Sequence, residues 1–235
     1  AGDGRHALTS LEVAATLAVG RESDRISIDD AEAALGTKAI LYGRDEHYDV
    51  ISAFIKSIRG SDADAGLYWL ARMLDAGEDA RFIARRLVIL ASEDVGMADP
   101  TALLVADAAA RAVEFVGLPE ARLNLAQAVV HLATAPKSNR VTVGLGRAGV
   151  DARAAGTGLV PMHLRDAHYK GAADLGHGDG YEYPHDDPTG WVAQQYRPPE
   201  EADNTYYDPS PHGFEAEVTE RMEQHREDSG RGAEQ

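Results

Sequence analysis

From Asp45 to about Gly156, apolar residues recur three and four apart in block after block, and no stretch alternates apolar and polar residues long enough to form a strand. That pattern restricts the region to helices. Tyr48, Ile51, Ile55 and Ile58 share one helical face, and Gly60 closes the run. Ser61 or Asp62 can cap the next block, whose stripe is Leu67, Leu70 and Leu74, with Gly77 at its end. Phe82, Ile83, Leu87 and Leu90 mark a third helix. Asp99-Pro100 opens a fourth, which runs through Phe115 to Gly117, and Pro119 starts a fifth, from Leu123 to Ala133. Lys137 to Ala155 is a weaker pattern, because Gly144, Gly146 and Gly149 lower its propensity. Breaks of a few residues join these blocks, as in a compact antiparallel array. A separate helix precedes it: Asp3 can cap a stripe of Ala7, Leu8, Leu11, Ala14, Ala15 and Ala18 that ends at Gly20. Ser27 then caps a short helix from Ile28 to Leu35.

Beyond Gly156 the texture changes. Seven of the 10 Pro lie between Pro161 and Pro211, and six of the 9 Tyr and six of the 9 His lie past residue 160. A flexible linker rarely carries so many aromatics. The segment therefore reads as an irregular, ordered, Pro/Tyr/His-rich wrap laid on the helices, with a short hairpin near Tyr181–Tyr183. A final helix from Phe214 to Gln224 and a polar tail complete the pattern.

Charge divides the chain at the same place. The formal net charge is -16 over 235 residues, and residues 171–235 alone hold 16 acidic against 4 basic side chains. Residues 44–150 hold 14 against 12. This excess argues against nucleic-acid binding by the whole surface. With no Cys, disulfides, thiolate metal sites and Cys nucleophiles are excluded. No apolar run approaches the ~20 residues of a membrane span, and residues 1–6 lack the order of a signal peptide, so a cytoplasmic setting without membrane contact is expected.

The candidate motifs are weak when taken one at a time. The phosphate-cradling pattern G-x-x-x-x-G-K-[ST] is absent. Gly144-Leu-Gly146-Arg-Ala-Gly149 matches G-x-G-x-x-G, but no βαβ unit surrounds it, so a small-residue face for close helix packing is the better reading. His163, His168, His177 and His185, with Asp186 and Asp187, follow no zinc spacing and are read as polar members of the wrap. No catalytic residue and no metal site is assigned. Arg81, Arg85 and Arg86 form a basic cluster that can meet DNA phosphates or pair internally with Asp75, Glu78 or Glu114; internal pairing is preferred. Glu93-Asp94 at a helix carboxyl end opposes the helix dipole, so Arg86 or Lys137 should compensate. The helices after Asp99 are rich in small residues, including Ala102, Ala106, Ala108, Ala109 and Ala112. They can serve packing within the chain or leave a second face for another subunit.

Three blocks carry a family resemblance. Gly2-Asp3-Gly4-Arg5-His6-Ala7-Leu8, with Leu11-Glu12, resembles the sensor-2 segment of AAA+ ATPases. The second block comprises Ser57 to Arg72, Ala84-Arg-Arg86, Ala91-Ser-Glu-Asp-Val-Gly-Met-Ala-Asp-Pro100 and Ala135-Pro-Lys-Ser-Asn139. The third is Val160-Pro-Met-His-Leu-Arg165, Tyr181-Glu-Tyr-Pro-His-Asp186 and Gln195-Tyr196. In this order they resemble the carboxy-terminal half of the replication-associated recombination protein A (MgsA) family, which includes the Werner-helicase-interacting ATPases.

The resemblance implies an all-α fold: a partial AAA+ lid over residues 1–43, a clamp-loader-collar-like oligomerisation domain over 44–156, the wrap over 157–222 and a disordered tail over 223–235. It implies that this chain starts inside the lid and lacks the ATPase core, so that ATP and Mg belong to the intact protein and neither binds this portion alone. Arg5 would reach the ATP γ-phosphate, with Asp3 as the cap that orients it. Expected partners are further copies of the chain in a homotetramer, DNA forks or single-strand/double-strand junctions, and single-strand-binding protein; the expected location is the nucleoid-associated cytoplasm. The alternative is a stand-alone helical adaptor that binds a partner protein through its acidic, aromatic wrap.

Overall fold

The computed structural model describes residues 4–21, 23–34, 44–154, 156 and 158–232. Among them there is no strand. The long elements are α1 (Gly4–Gly20), α2 (Ile28–Ala34), α3 (Arg44–Arg59), α4 (Ala63–Asp75), α5 (Ala80–Leu90), α6 (Thr101–Phe115), α7 (Ala121–Thr134), α8 (Arg140–Asp151) and α9 (Glu215–Gly232). The all-α class expected from periodicity holds. The chain forms two compact units, one of residues 1–90 with 104–134 and one of 91–103 with 135–235. The change of composition near residue 157 falls inside the second unit. Composition records polarity, whereas compactness depends on which segments pack together.

In the first unit, α3 packs on α4, and both pack on α7. Phe54 and Ile58 of α3, Leu70 and Met73 of α4, Ile83 and Leu87 of α5, and Leu125, Val129 and Leu132 of α7 are all buried. Each set sits at helical spacing, so one stripe per helix makes the core. Asp62 caps α4, accepting the Ala65 N–H at 2.9 Å. The turn before it departs from expectation: the left-handed residue is Ser61, at φ 63°, one position past Gly60. Gly66 marks a close approach of α4 to α7, because a Cβ there would lie 2.9 Å from Val129 Cγ1.

The small residues of α6 and α7 are mostly spent inside the chain. Ala102, Ala106, Ala109, Ala121, Ala128 and Ala133 are buried, whereas Ala108 is exposed. Packing within the chain, one of the two readings left open by the sequence, accounts for most of these alanines. The apolar surface of α6 comes instead from Leu103, Leu104 and Phe115, the last 93% exposed.

In the second unit, a π turn at Ala91–Val95 holds Glu93 and Asp94. Asp94 is buried, and its carbonyl accepts the Ser138 N–H at 2.8 Å. Burial pulls the Lys137 ammonium below its ordinary pKa, and the Asp94 charge opposes that shift. Lys137, one of the two cations expected there, thus lies in the field of Asp94, and its ammonium donates to the Ala135 carbonyl at 2.6 Å. It does so from an extended segment, because α8 starts at Arg140 and not at Lys137. Gly144 of α8 is buried, and a Cβ there would stand 2.9 Å from the Tyr206 carbonyl oxygen. The glycine pattern is thus a packing surface at Gly144; around Gly146 there is open space.

The wrap is held by side chains and tight turns. The expected hairpin near Tyr181–Tyr183 is absent: the Gln194 amide donates to the Glu182 carbonyl at 2.6 Å, and a 3-10 turn follows at Pro184–Asp186. A proline lacks the N–H that a ladder needs. Arg197 donates to the carbonyls of Ala202, at 2.6 Å, and Asn204. Trp191 stacks on His225, with ring centroids 4.9 Å apart. That stack lies on the part of α9 beyond Gln224, where the sequence pattern had ended the helix.

The tightest polar knot is at the start of α9. Glu215 is fully buried. Its carboxylate accepts from the Tyr207 hydroxyl at 2.9 Å and the Ser210 N–H at 2.8 Å. Burial pushes its pKa up, but donors from Ser138, Ser210 and Tyr207 prevail and hold it below the ordinary 4.5. Burial and the same contact raise the Tyr207 phenol to about 12.

Candidate functional site

The residue that the sequence singles out, Arg5, lies in the first turn of α1. Its side chain, and all of Asp3, fall outside the described residues. By helical periodicity Leu8, Glu12 and Val19 share one side of α1. Those three are exposed, as is Leu11 beside them. The opposite side of α1 buries Ala14 and Ala18.

Helix α2 packs on α1, and a dense set of polar contacts fixes the turn between them. The N–H groups of Arg21 and Ser23 both donate to the Ala18 carbonyl, at 3.1 and 3.0 Å. Ser27 and Asp30 form a reciprocal capping box: the Asp30 N–H donates to Ser27 Oγ at 3.2 Å, and the Ser27 N–H donates to Asp30 Oδ2 at 2.8 Å. The Arg21 guanidinium also pairs with Asp30. The Ser27 N–H and hydroxyl, helped by Arg21, hold the Asp30 carboxyl below its ordinary pKa against the opposing effect of burial. Ile26 and Ile28 remain exposed beside this knot. The result is a braced helix pair with an uncovered apolar face and a cationic residue at its head.

The other candidates are scattered. Arg81 pairs with Glu114 at 2.7 Å, one of the internal pairings expected, while Arg85 is exposed. His163 bonds the Gln195 carbonyl at 2.7 Å, His168 pairs with Asp166 at 3.0 Å and His177 bonds the Tyr169 hydroxyl at 2.7 Å. Among the described residues no three His, Asp or Glu side chains come together as a metal site, and no helix is long and apolar enough to cross a membrane. The Glu215 knot was missed by sequence reasoning, because nothing distinguishes that glutamate from its exposed acidic neighbours.

Comparison with known proteins gives two consecutive matches. Residues 1–59 match the AAA C-terminal domain model, and residues 60–226 match the model described as MgsA AAA+ ATPase C terminal. The two stretches meet at the turn between α3 and α4. An uncharacterized AAA domain-containing protein of Mycobacterium tuberculosis is 58% identical over 228 residues, covering 96% of this chain and 50% of that protein. The replication-associated recombination protein A of Bacillus subtilis is 47% identical over 90% of this chain and 51% of its own length. That of Escherichia coli is 41% identical over 94% and 51%. The chain thus spans about half the length of these relatives.

Proposed function

This chain belongs to the MgsA AAA+ ATPase C-terminal family, and on that premise we propose that it is the lid segment and oligomerisation half of a DNA-associated AAA+ ATPase. The intact protein acts in replication-fork maintenance, recombination and repair. The observation that most supports this reading is Arg5 in the first turn of α1, a helix whose Leu8, Leu11 and Val19 are uncovered. When an ATPase core packs on that helix, the guanidinium reaches the γ-phosphate of ATP. Its fixed charge then couples nucleotide state to lid position. ATP and Mg are held by the core; Arg5 is the contribution of this chain.

The helical units assemble the protein as a homotetramer, and exposed apolar residues such as Leu104 and Phe115 are suited to that contact. DNA forks or single-strand/double-strand junctions are engaged by the intact protein, since a chain of charge -16 is a poor polyanion binder on its own. Single-strand-binding protein is a partner at the same structures, in the nucleoid.

A chimera tests the reading. The matching half of the M. tuberculosis relative is replaced by this chain, and ATP turnover is followed. Arg5→Ala should lower turnover at least about tenfold, equivalent to roughly 1.4 kcal/mol of lost charge stabilisation, with particle mass unchanged. Turnover equal to that of the unmodified chimera would refute the role given to Arg5.

A further inference from the structure

Helix α5 presents two faces, one apolar and one mixed. One enters the core through Ile83, Leu87 and Leu90. The other, built on Arg81, Arg85, Val88 and Ile89, faces α6 across a groove of about 470 Å³. The volume lies within the ~300–1,000 Å³ of ordinary ligand clefts. Buried Ala84 and half-buried Val88 and Ala110 form its bottom, and Ile89 is an exposed apolar wall. Three guanidinium groups, from Arg81, Arg85 and Arg111, line it together with the carboxylate of Glu114, and Asp107 stands beside Arg111.

These charges are available. Arg81 pairs with Glu114 and Arg111 with Asp107, each at 2.7 Å, but all four side chains are more than half exposed. Exposed pairs of this kind are weak and exchange readily for another carboxylate. Arg85 has no ion-pair partner among the described residues. One guanidinium, that of Arg85, is therefore left over beside an apolar cleft in a strongly acidic chain.

We propose that the α5–α6 groove binds a short peptide segment of a partner protein, one with bulky aliphatic or aromatic side chains flanked by aspartate or glutamate. The apolar side chain enters between Val88 and Ala110, where it is removed from water. The flanking carboxylates take forked hydrogen bonds from Arg85 and from Arg81 or Arg111. A nucleic-acid backbone offers the charge but nothing to fill the apolar bottom. This binding site is independent of Arg5 and of the nucleotide.

The test is fluorescence anisotropy of the 235-residue chain with a labelled peptide of sequence DDELFDD. Two control peptides, NNQLFNN and DDEGGDD, remove the charge or the apolar pair, and a labelled single-stranded oligonucleotide serves as the polyanion control. Saturable binding of DDELFDD is expected, at least about tenfold tighter than either control peptide, a difference of roughly 1.4 kcal/mol. Arg85→Glu and Ile89→Asp should each weaken it about tenfold with helix content unchanged, and Arg85→Gln should give a smaller loss. No saturable binding up to roughly 1 mM overturns the proposal. So does equal binding of DDEGGDD, or binding untouched by both Arg85→Glu and Ile89→Asp. If Arg85→Glu abolishes oligonucleotide binding and spares the peptide, the groove is a nucleic-acid contact and the proposal fails. If it lowers the particle mass in light scattering, the occupant is a second copy of the chain, and the proposal fails equally.

Discussion

Glu215 sits in the most acidic quarter of the chain, yet it is fully buried and accepts hydrogen bonds from Tyr207 and Ser210. Replacing it by Gln leaves donors without a charged acceptor and should cost about 1.5–3 kcal/mol, read by chemical denaturation. The pH dependence follows from its depressed pKa. A carboxylate favoured in the folded state adds stability that is present above its ordinary value of 4.5 and lost as pH falls through the folded value. The melting temperature should therefore fall with acidification below about pH 4.5, and Glu215→Gln should flatten that branch. Two glycines of α8 make a paired test. Gly144→Ala forces a Cβ against the Tyr206 carbonyl and should destabilise by about 1–3 kcal/mol. Gly146→Ala enters open space in a helix and should stabilise by about 0.5–1 kcal/mol. Thermal melts that move both variants in the same direction would refute the packing account of the motif.

At the scale of elements, most helices were legible because each has one dominant stripe and a recognisable start. Asp62 was readable as a cap, and Asp62→Ala should cost about 1 kcal/mol in urea unfolding. Alanine-rich helices were harder, since small residues give no sign of which face is inward. The structure separates adjacent positions of α6: Ala109 is buried and Ala108 exposed. Ala108→Glu should leave the helix content intact. Ala109→Glu buries an unpaired charge and should cost several kcal/mol, enough to lose the fold by circular dichroism. The end of α9 was also hidden. Its apolar pattern stops near Gln224, while the ring that stacks on it, Trp191, lies far back in the sequence.

For the whole molecule, the near-neutral region 44–150 and the acidic stretch 171–235 set what the chain can do unaided. No phosphate-cradling loop is present in these residues, so calorimetry with ATP and Mg should give no binding at roughly micromolar concentrations. Light scattering should report four copies of the 25.2 kDa chain without nucleotide, little changed by moderate salt, because Leu103, Leu104 and Phe115 of α6 offer an exposed apolar contact. Phe115→Asp should shift that mass downward while helix content stays; a monomer in the unmodified chain would sink the assembly.

Local order in the chain was enough to establish the helical class, most caps, the change of texture at the wrap and the first-turn place of Arg5. These depend on spacing and on neighbours within a turn or two, which the order of residues states directly. The tertiary structure alone decided which alanines are inward, that Gly144 faces the Tyr206 carbonyl, and that Glu215 is sealed from water. It also left α5 with a second, uncovered face of arginines and aliphatic residues. Each of these depends on a partner far along the chain, and burial is a property of that encounter that no local pattern of charge or hydropathy encodes.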